Sequence, residues 1–261
     1  MVLVTGSLAS SRAAYASSGR TMYKLYYHDI LFRGQFVRCL LELANEQYEQ
    51  VPSAELYALK AQPPSQASQA LFMAPPLLED DGFFIAQTPA IVSYLARKCG
   101  MMPTDNHDIA TADMVVNNGN DLIRELTCDC GAAMWTQDAF DAFVSDRFLR
   151  WLAIFEYTAR QKAAGRTEPC YYLGNKEGPT YADSTLYAVF ATMQAALPQL
   201  SPILRQHMPR VMSLCDRLGT NPNLVALAHR QGSLPYCGGQ IEQSLRAVLN
   251  NSKYTTHASA A

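Results

Sequence analysis

The sequence predicts an α+β protein, with a small β-α-β, β-β-α domain first and a domain made only of helices after it. Tyr23-Lys24-Leu25-Tyr26-Tyr27 and Tyr48-Glu49-Gln50-Val51 are short runs of strand character on either side of an apolar stripe at helical spacing. Asp81-Gly82 separates Leu77-Leu78-Glu79-Asp80 from Phe83-Phe84-Ile85-Ala86 in the manner of a type I′ hairpin. From residue 104 no strand pattern recurs, and helical periods run through 107–130, 137–163, 183–197, 205–218 and 222–230.

Taken in order, the first strand is followed by the stripe Phe36, Val37, Leu40, Leu41 and Ala44, a helix that lets the second strand return parallel to the first. Residues 61–70, rich in Gln, Pro, Ser and Ala, read as a surface loop. Pro75-Pro76 leads into the hairpin. Gln87-Thr88-Pro89 opens a helix, with Thr88 as its N-cap, Pro89 at the first helical position and a buried face of Ala90, Ile91, Tyr94 and Leu95. Thr180-Tyr181-Ala182-Asp183 is a capping box with Asp in place of the usual Glu or Gln. The expected division is a disordered leader at 1–21, the small domain at 22–102, the helical domain at 103–240 and a tail at 241–261.

Composition excludes several classes. A formal net charge of −2 over 261 residues leaves no basic footprint for nucleic acid and no polybasic membrane anchor. No apolar run has the roughly 18 residues a spanning helix needs, so a soluble, cytoplasmic protein is expected. The seven cysteines are odd in number and scattered, which argues against a disulfide framework and for a reducing compartment. Cys128-Asp129-Cys130 is the one tight pair; with no second pair or nearby His it reads as two helix cysteines, and no metal is expected. Residues 1–21 are hydroxyl-rich and free of acids, a composition that also suits an organelle-import segment.

The order of elements and several local runs resemble the cytosolic glutathione transferases, whose first domain is thioredoxin-like. Pro76-Leu77-Leu78-Glu79-Asp80-Asp81-Gly82, then Gln87-Thr88-Pro89-Ala90-Ile91 and Tyr94-Leu95-Ala96, is similar to that family's first-domain signature. Tyr172-Leu173-Gly174 with Thr180-Tyr181-Ala182-Asp183, and Met208-Pro209 through Asn221-Pro222-Asn223, are similar to its helical-domain runs. The resemblance covers about residues 22–230. Tyr27 with Arg38 eleven residues on matches the tyrosine-type classes (alpha, mu, pi and sigma), and no Ser or Cys stands at the Tyr27 position.

That resemblance implies a reaction in which the glutathione thiolate attacks an apolar electrophile. A thiol with a pKa near 8.5 is only a few per cent ionised at neutral pH. A phenol O–H donated to the sulfur stabilises the anion by roughly 1.5–3 kcal/mol. Tyr27 is the expected donor, with Tyr23 and Tyr26 competing for the role; Arg33 is expected to favour the anion and Arg38 to be structural. Lys60, Pro75, Pro76, Gln87, Thr88 and Asp121 are the expected contacts to glutathione, the co-substrate. Thr88 would meet the γ-glutamyl carboxylate at a helix N-terminus, and Asp121 would reach the ammonium across a homodimer. Phe72 would be the aromatic that inserts into the partner subunit. An electrophile pocket is expected between the Tyr27–Phe36 loop, residues 117–134 and Leu234–Cys237.

Three positions depart from the family's pattern. Pro75 precedes the expected cis-proline and has no N–H to offer the tripeptide. Ala74 stands where the family has Gln, and Leu56 replaces a tryptophan four residues before Lys60. These departures favour a second reading, a non-catalytic carrier or assembly protein on the same fold. Glutathione-dependent isomerisation or peroxide reduction would use the same site. A thioredoxin-like oxidoreductase is disfavoured, since Cys39 lies well inside the first helix and no Cys-x-x-Cys opens it.

Overall fold

The computed structural model describes residues 22–66, 70–166 and 169–251. The leader expected at 1–21 and the end of the expected tail, 252–261, lie outside the described residues.

The first domain is a four-stranded sheet with the order β2-β1-β3-β4. β1 (Tyr23–Tyr26) pairs parallel with β2 (Tyr48–Val51) and antiparallel with β3 (Leu77–Asp80), which pairs antiparallel with β4 (Phe83–Ala86). The parallel pair is bridged by α1 (Gly34–Leu43). The hairpin turns at Asp81 and Gly82, with φ of 52° and 79°, as a type I′ turn requires. α2 (Ser53–Lys60) follows β2, and α3 (Thr88–Lys98) follows β4. This is the thioredoxin-like arrangement the sequence predicts, with α2 added. α2 was not legible because it is eight residues long and buries only Leu56.

Side chains alternate across β1 as a pleated strand demands. Tyr23, Leu25 and Tyr27 enter the main core with α1, α3 and the helical domain. Tyr26 enters a smaller cluster on the other face, with Val51, Leu56, Ala70 and Leu77. Tyr26 is therefore separated from Tyr23 and Tyr27 before any chemistry is considered.

The helical domain begins with α4 (Asn106–Leu126), whose first turn is capped by the Asp105 side chain. α5 runs through Gln137–Phe143, a π turn at Val144–Phe148 and Leu149–Ala163. α6 runs through Tyr181–Leu186, a π turn at Tyr187–Ala191 and Thr192–Ala196. α7 (Ser201–His207), α8 (Pro209–Leu218) and α9 (Pro222–Gln231) complete the bundle. The capping box at α6 is complete, and Asp183 is fully buried.

Three local expectations need correction. Gln87, not Thr88, is the N-cap of α3; Thr88 is its first residue and Pro89 its second. Residues from 241 are not simply a tail, because α10 (Gly239–Leu249) crosses that boundary and buries Leu245, Val248 and Leu249. Its apolar spacing at Ile241, Leu245 and Val248 was present in the sequence, but Gly238-Gly239 reads as a chain opening out. Finally, Cys128 and Cys130 are not ordinary helix cysteines. Cys128, Asp129, Cys130 and Gly131 all have positive φ, from 46° to 87°, and form a left-handed turn after α4. L-residues avoid that conformation, and only Gly131 hints at it in the sequence. Among the described residues, no helix is long and apolar enough to cross a membrane.

Candidate active site

Strand register assembles the site. Tyr26 pairs with Leu77 and with Val51, and Leu77 also pairs with Ala86. The next residue on each strand at that end is therefore Tyr27, Pro76 or Gln87. Three of the expected site residues thus leave the sheet side by side, next to Pro52, which opens α2. The Pro75–Pro76 peptide is cis, as the resemblance implies.

Tyr27 is held from below and from one side. Gln50 donates its amide to the Tyr27 carbonyl at 3.0 Å and to the Leu25 carbonyl at 3.3 Å. Its Oε1 in turn accepts from Arg38 Nε and Nη2 at 3.0 and 2.9 Å. The buried Arg38 guanidinium also donates to the carbonyls of Ile30 and His28. It thus fastens the loop after Tyr27, the structural role expected of it. Gly34 lies against the Tyr27 ring, and a Cβ there would overlap it.

The backbone N–H groups of Arg33 and Gly34, at the start of α1, favour the ionised form of the Tyr27 phenol. Burial pushes the phenol up to about 12, against the pull of Arg33, Arg38 and those two N–H groups. At neutral pH the group is therefore a protonated O–H, able to donate. The competing tyrosines are differently placed. Tyr26 donates to Glu79 Oε2 at 2.6 Å. Tyr23 lies at the far end of β1 under Lys98, whose Nζ is 5.6 Å from the ring centre.

Tyr27 is, however, only 3% exposed. The segment after α9 covers this end of the molecule. Leu31 and Phe32 donate their N–H groups to the carbonyls of Pro235 and Tyr236 at 2.9 and 2.8 Å. The family resemblance placed Leu234–Cys237 beside the Tyr27–Phe36 loop as the wall of an electrophile pocket; the structure brings the two together as a cover over Tyr27.

The remaining candidates divide. Arg33 reaches away from the sheet, donating from Nε to Asn120 Oδ1 at 2.8 Å and from Nη1 to Cys130 Sγ at 3.2 Å. Asp121, the next residue along α4, is exposed. Lys60 is exposed at the end of α2, and together with burial its charge lowers the pKa of His28, the neighbour of Tyr27. Tyr57 Oη stands 3.3 Å from His28 Nδ1. Phe72 packs half-buried against the small Tyr26 cluster, between the exposed Leu71 and Met73.

Gln87 is exposed, with φ 73° and ψ 115°, a conformation a non-glycine residue adopts only when its surroundings impose it. The side chain of Gln87 makes no capping bond, so the first turn of α3 presents its N–H groups beside cis-Pro76. An uncapped helix N-terminus suits a carboxylate. Among the described residues, no group of three or more His, Cys, Asp or Glu is placed to hold a metal ion.

A β-α-β, β-β-α sheet joined to a helical bundle, with a tyrosine at the sheet end and a cis-proline beside it, defines a class of protein. Comparison with known proteins agrees. Residues 111–248, just over half of the chain, match the family model described as glutathione S-transferase, C-terminal domain. The chain belongs to the glutathione S-transferase family. Mouse (Mus musculus) glutathione S-transferase A4 is 26% identical over 197 residues, covering 73% of this chain and 84% of the relative. A probable glutathione S-transferase of Caenorhabditis elegans, gst-36, is 23% identical over 220 residues, covering 82% and 98%. Among solved structures, the Pi-class enzyme of Onchocerca volvulus superimposes with a TM-score of 0.68 at 23% identity, covering 84% of this chain and 98% of that one. Rat hPGDS complexed with a quinoline gives 0.61 at 21%, covering 80% and 97%. These two structures establish the fold.

Proposed function

We propose that this protein is a glutathione transferase in which Tyr27 donates its phenol O–H to the glutathione sulfur and the thiolate attacks an apolar electrophile. The observation that carries the reading is the strand register, which brings Tyr27, Pro76 and Gln87 to one end of the sheet. The other assignments follow from position. Arg33 adds positive charge near the sulfur. The first turn of α3, with Gln87 and Thr88, takes the γ-glutamyl carboxylate. Lys60 takes the glycyl carboxylate, and the Pro75 carbonyl accepts from the cysteinyl N–H. Asp121 serves the partner's glutathione in a homodimer to which Phe72 contributes. The proposed setting is cytoplasmic detoxification, and the same thiolate would serve isomerisation or peroxide reduction.

Two observations favour a carrier or assembly protein instead: the burial of Tyr27 and the absence of an N–H at Pro75. Both predict weak glutathione binding. Conjugation of glutathione to a chlorodinitroaromatic separates the readings. The parent is expected to turn over, and Tyr27→Phe, which deletes only the hydroxyl, to lose about 10–100-fold in kcat/KM at neutral pH. An inactive parent that still binds glutathione would favour the carrier; one that does not bind it would favour the assembly protein.

A further inference from the structure

We propose that the cleft between α6, α9 and α10 binds a neutral, apolar small molecule, and that its occupant opposes glutathione by holding the cover over Tyr27 in place. The second half rests on the glutathione reading above; the first does not.

The cleft has a volume of about 470 Å³, which is within the range of small-molecule sites. Leu224 and Leu227 of α9 give it a buried apolar wall. Ala195 of α6 and Ala228 of α9 line it with side chains too short to fill it. Among its described lining residues the charged ones, Glu242 and Arg246, answer each other. Arg246 donates to Glu242 Oε1 from Nε at 2.8 Å and from Nη2 at 2.6 Å. The other oxygen, Oε2, accepts the N–H groups of Cys237 and Gly238 at 3.0 and 2.8 Å. Gln35 and Gln231 exchange amide hydrogen bonds at 2.9 and 2.8 Å. Hydroxyls remain at Tyr187, Thr192 and Ser233. A charged molecule would give up its hydration here for no counter-charge, which excludes glutathione with its two carboxylates and ammonium. An uncharged, mostly apolar molecule with one hydroxyl or carbonyl oxygen fits these walls.

This cleft is not the place of the reaction. Among its described lining residues none belongs to 117–134, and Tyr27 is not one of them. It does share a wall with the cover. Leu31, Leu234 and Pro235 line the cleft, and the Leu31 N–H donates to the Pro235 carbonyl at 2.9 Å. The Leu234 N–H donates to the Gln231 carbonyl at the end of α9, also at 2.9 Å. Tyr27 is 3% exposed beneath this segment, so a thiol reaches its hydroxyl only when the segment shifts. That shift takes Leu234 and Pro235 away from the cleft. A molecule seated there therefore binds the covered form better than the opened one, and this difference is what moves the equilibrium. By linkage, glutathione weakens the occupant by the same factor.

The test uses Nile red, a neutral apolar dye that brightens in apolar surroundings, with the full chain and with Ala195→Phe and Ala228→Phe. Both alanines are exposed, so the added rings fill the cleft without entering the core. The parent should bind the dye, and both variants should lose that binding at an unchanged melting temperature. Saturating glutathione should weaken dye binding by the parent about tenfold, and saturating dye should weaken glutathione binding equally. No binding by the parent, or equal binding by the parent and both variants, overturns the site. Dye binding that ignores saturating glutathione, in a parent that binds glutathione, overturns the coupling and leaves the function standing. A parent that fails to bind glutathione removes the function and the coupling together, while the dye site still stands or falls by the two variants.

Discussion

Two buried polar regions of this molecule solve opposite problems. Around Asp183, the carboxylate accepts from the Tyr172 N–H, the Thr180 N–H and the Thr180 hydroxyl, at 2.8, 2.8 and 2.7 Å. At the sheet end, the first turn of α3 has no capping side chain and Gln87 sits at φ 73°; in the segment that covers that end, the Tyr236 hydroxyl has no partner among the described residues. The first region is closed on itself and holds α6 to the loop before it. The second keeps donors unanswered and a backbone under constraint. Satisfied polar networks rigidify a fold, whereas unmet donors beside strained backbone are what a ligand site needs.

If that contrast is right, Asp183→Ala should have the largest effect on stability. It strands three buried donors, and a loss of about 3–4 kcal/mol is expected in urea unfolding. A loss under about 1 kcal/mol would mean that the Asp183 cluster is not a keystone. Gly34→Ala comes next. The new methyl group must displace the Tyr27 ring or the start of α1, so about 1–3 kcal/mol of stability should go, with conjugation falling alongside. Preserved activity with lowered stability would show that the Tyr27 position tolerates movement.

The smallest effect sharpens the comparison most. Gln87→Gly relieves the positive φ and should raise stability by roughly 1 kcal/mol. At the same time it should weaken glutathione binding in a calorimetric titration, through loss of the Gln87 side chain. A variant that gained stability and kept its affinity would detach the backbone constraint from ligand binding.

Much of the fold was legible because periodicity reports it directly. The switch from a period of two to one of 3.6 gives β-α-β and β-β-α, and Thr180 with Asp183 marks the start of α6. Tyr27, Pro76 and Gln87 were legible through the family resemblance, and the pairing register of the structure brings them together. Other features were not, each for a physical cause. α2 is too short, and buries too little, to show a period. Gln87 breaks the capping rule that pointed to Thr88: it takes the N-cap position at φ 73° without a side-chain capping bond, so Thr88 is already the first helical residue. The left-handed turn at Cys128–Gly131 contradicts the preferences of its own residues, held from outside by the Arg124–Asp129 ion pair and by Ile241 packed where a Gly131 side chain would stand. The contact of Leu31 and Phe32 with Pro235 and Tyr236 was reachable only through the resemblance, because no local pattern encodes a pairing so distant in the chain.

The central claim is that Tyr27 acts as a neutral hydrogen-bond donor to the glutathione sulfur. The most direct measurement is the thiolate absorbance of enzyme-bound glutathione, titrated between pH 5 and 11 for the parent and Tyr27→Phe. The parent should show a bound thiol that ionises about one to two pH units lower than in the variant. That stabilisation should still be present at pH 10, where an ordinary phenol would be half ionised, because the Tyr27 hydroxyl keeps its proton up to about 12. Identical titration curves for the two proteins would contradict the account and remove Tyr27 from the reaction.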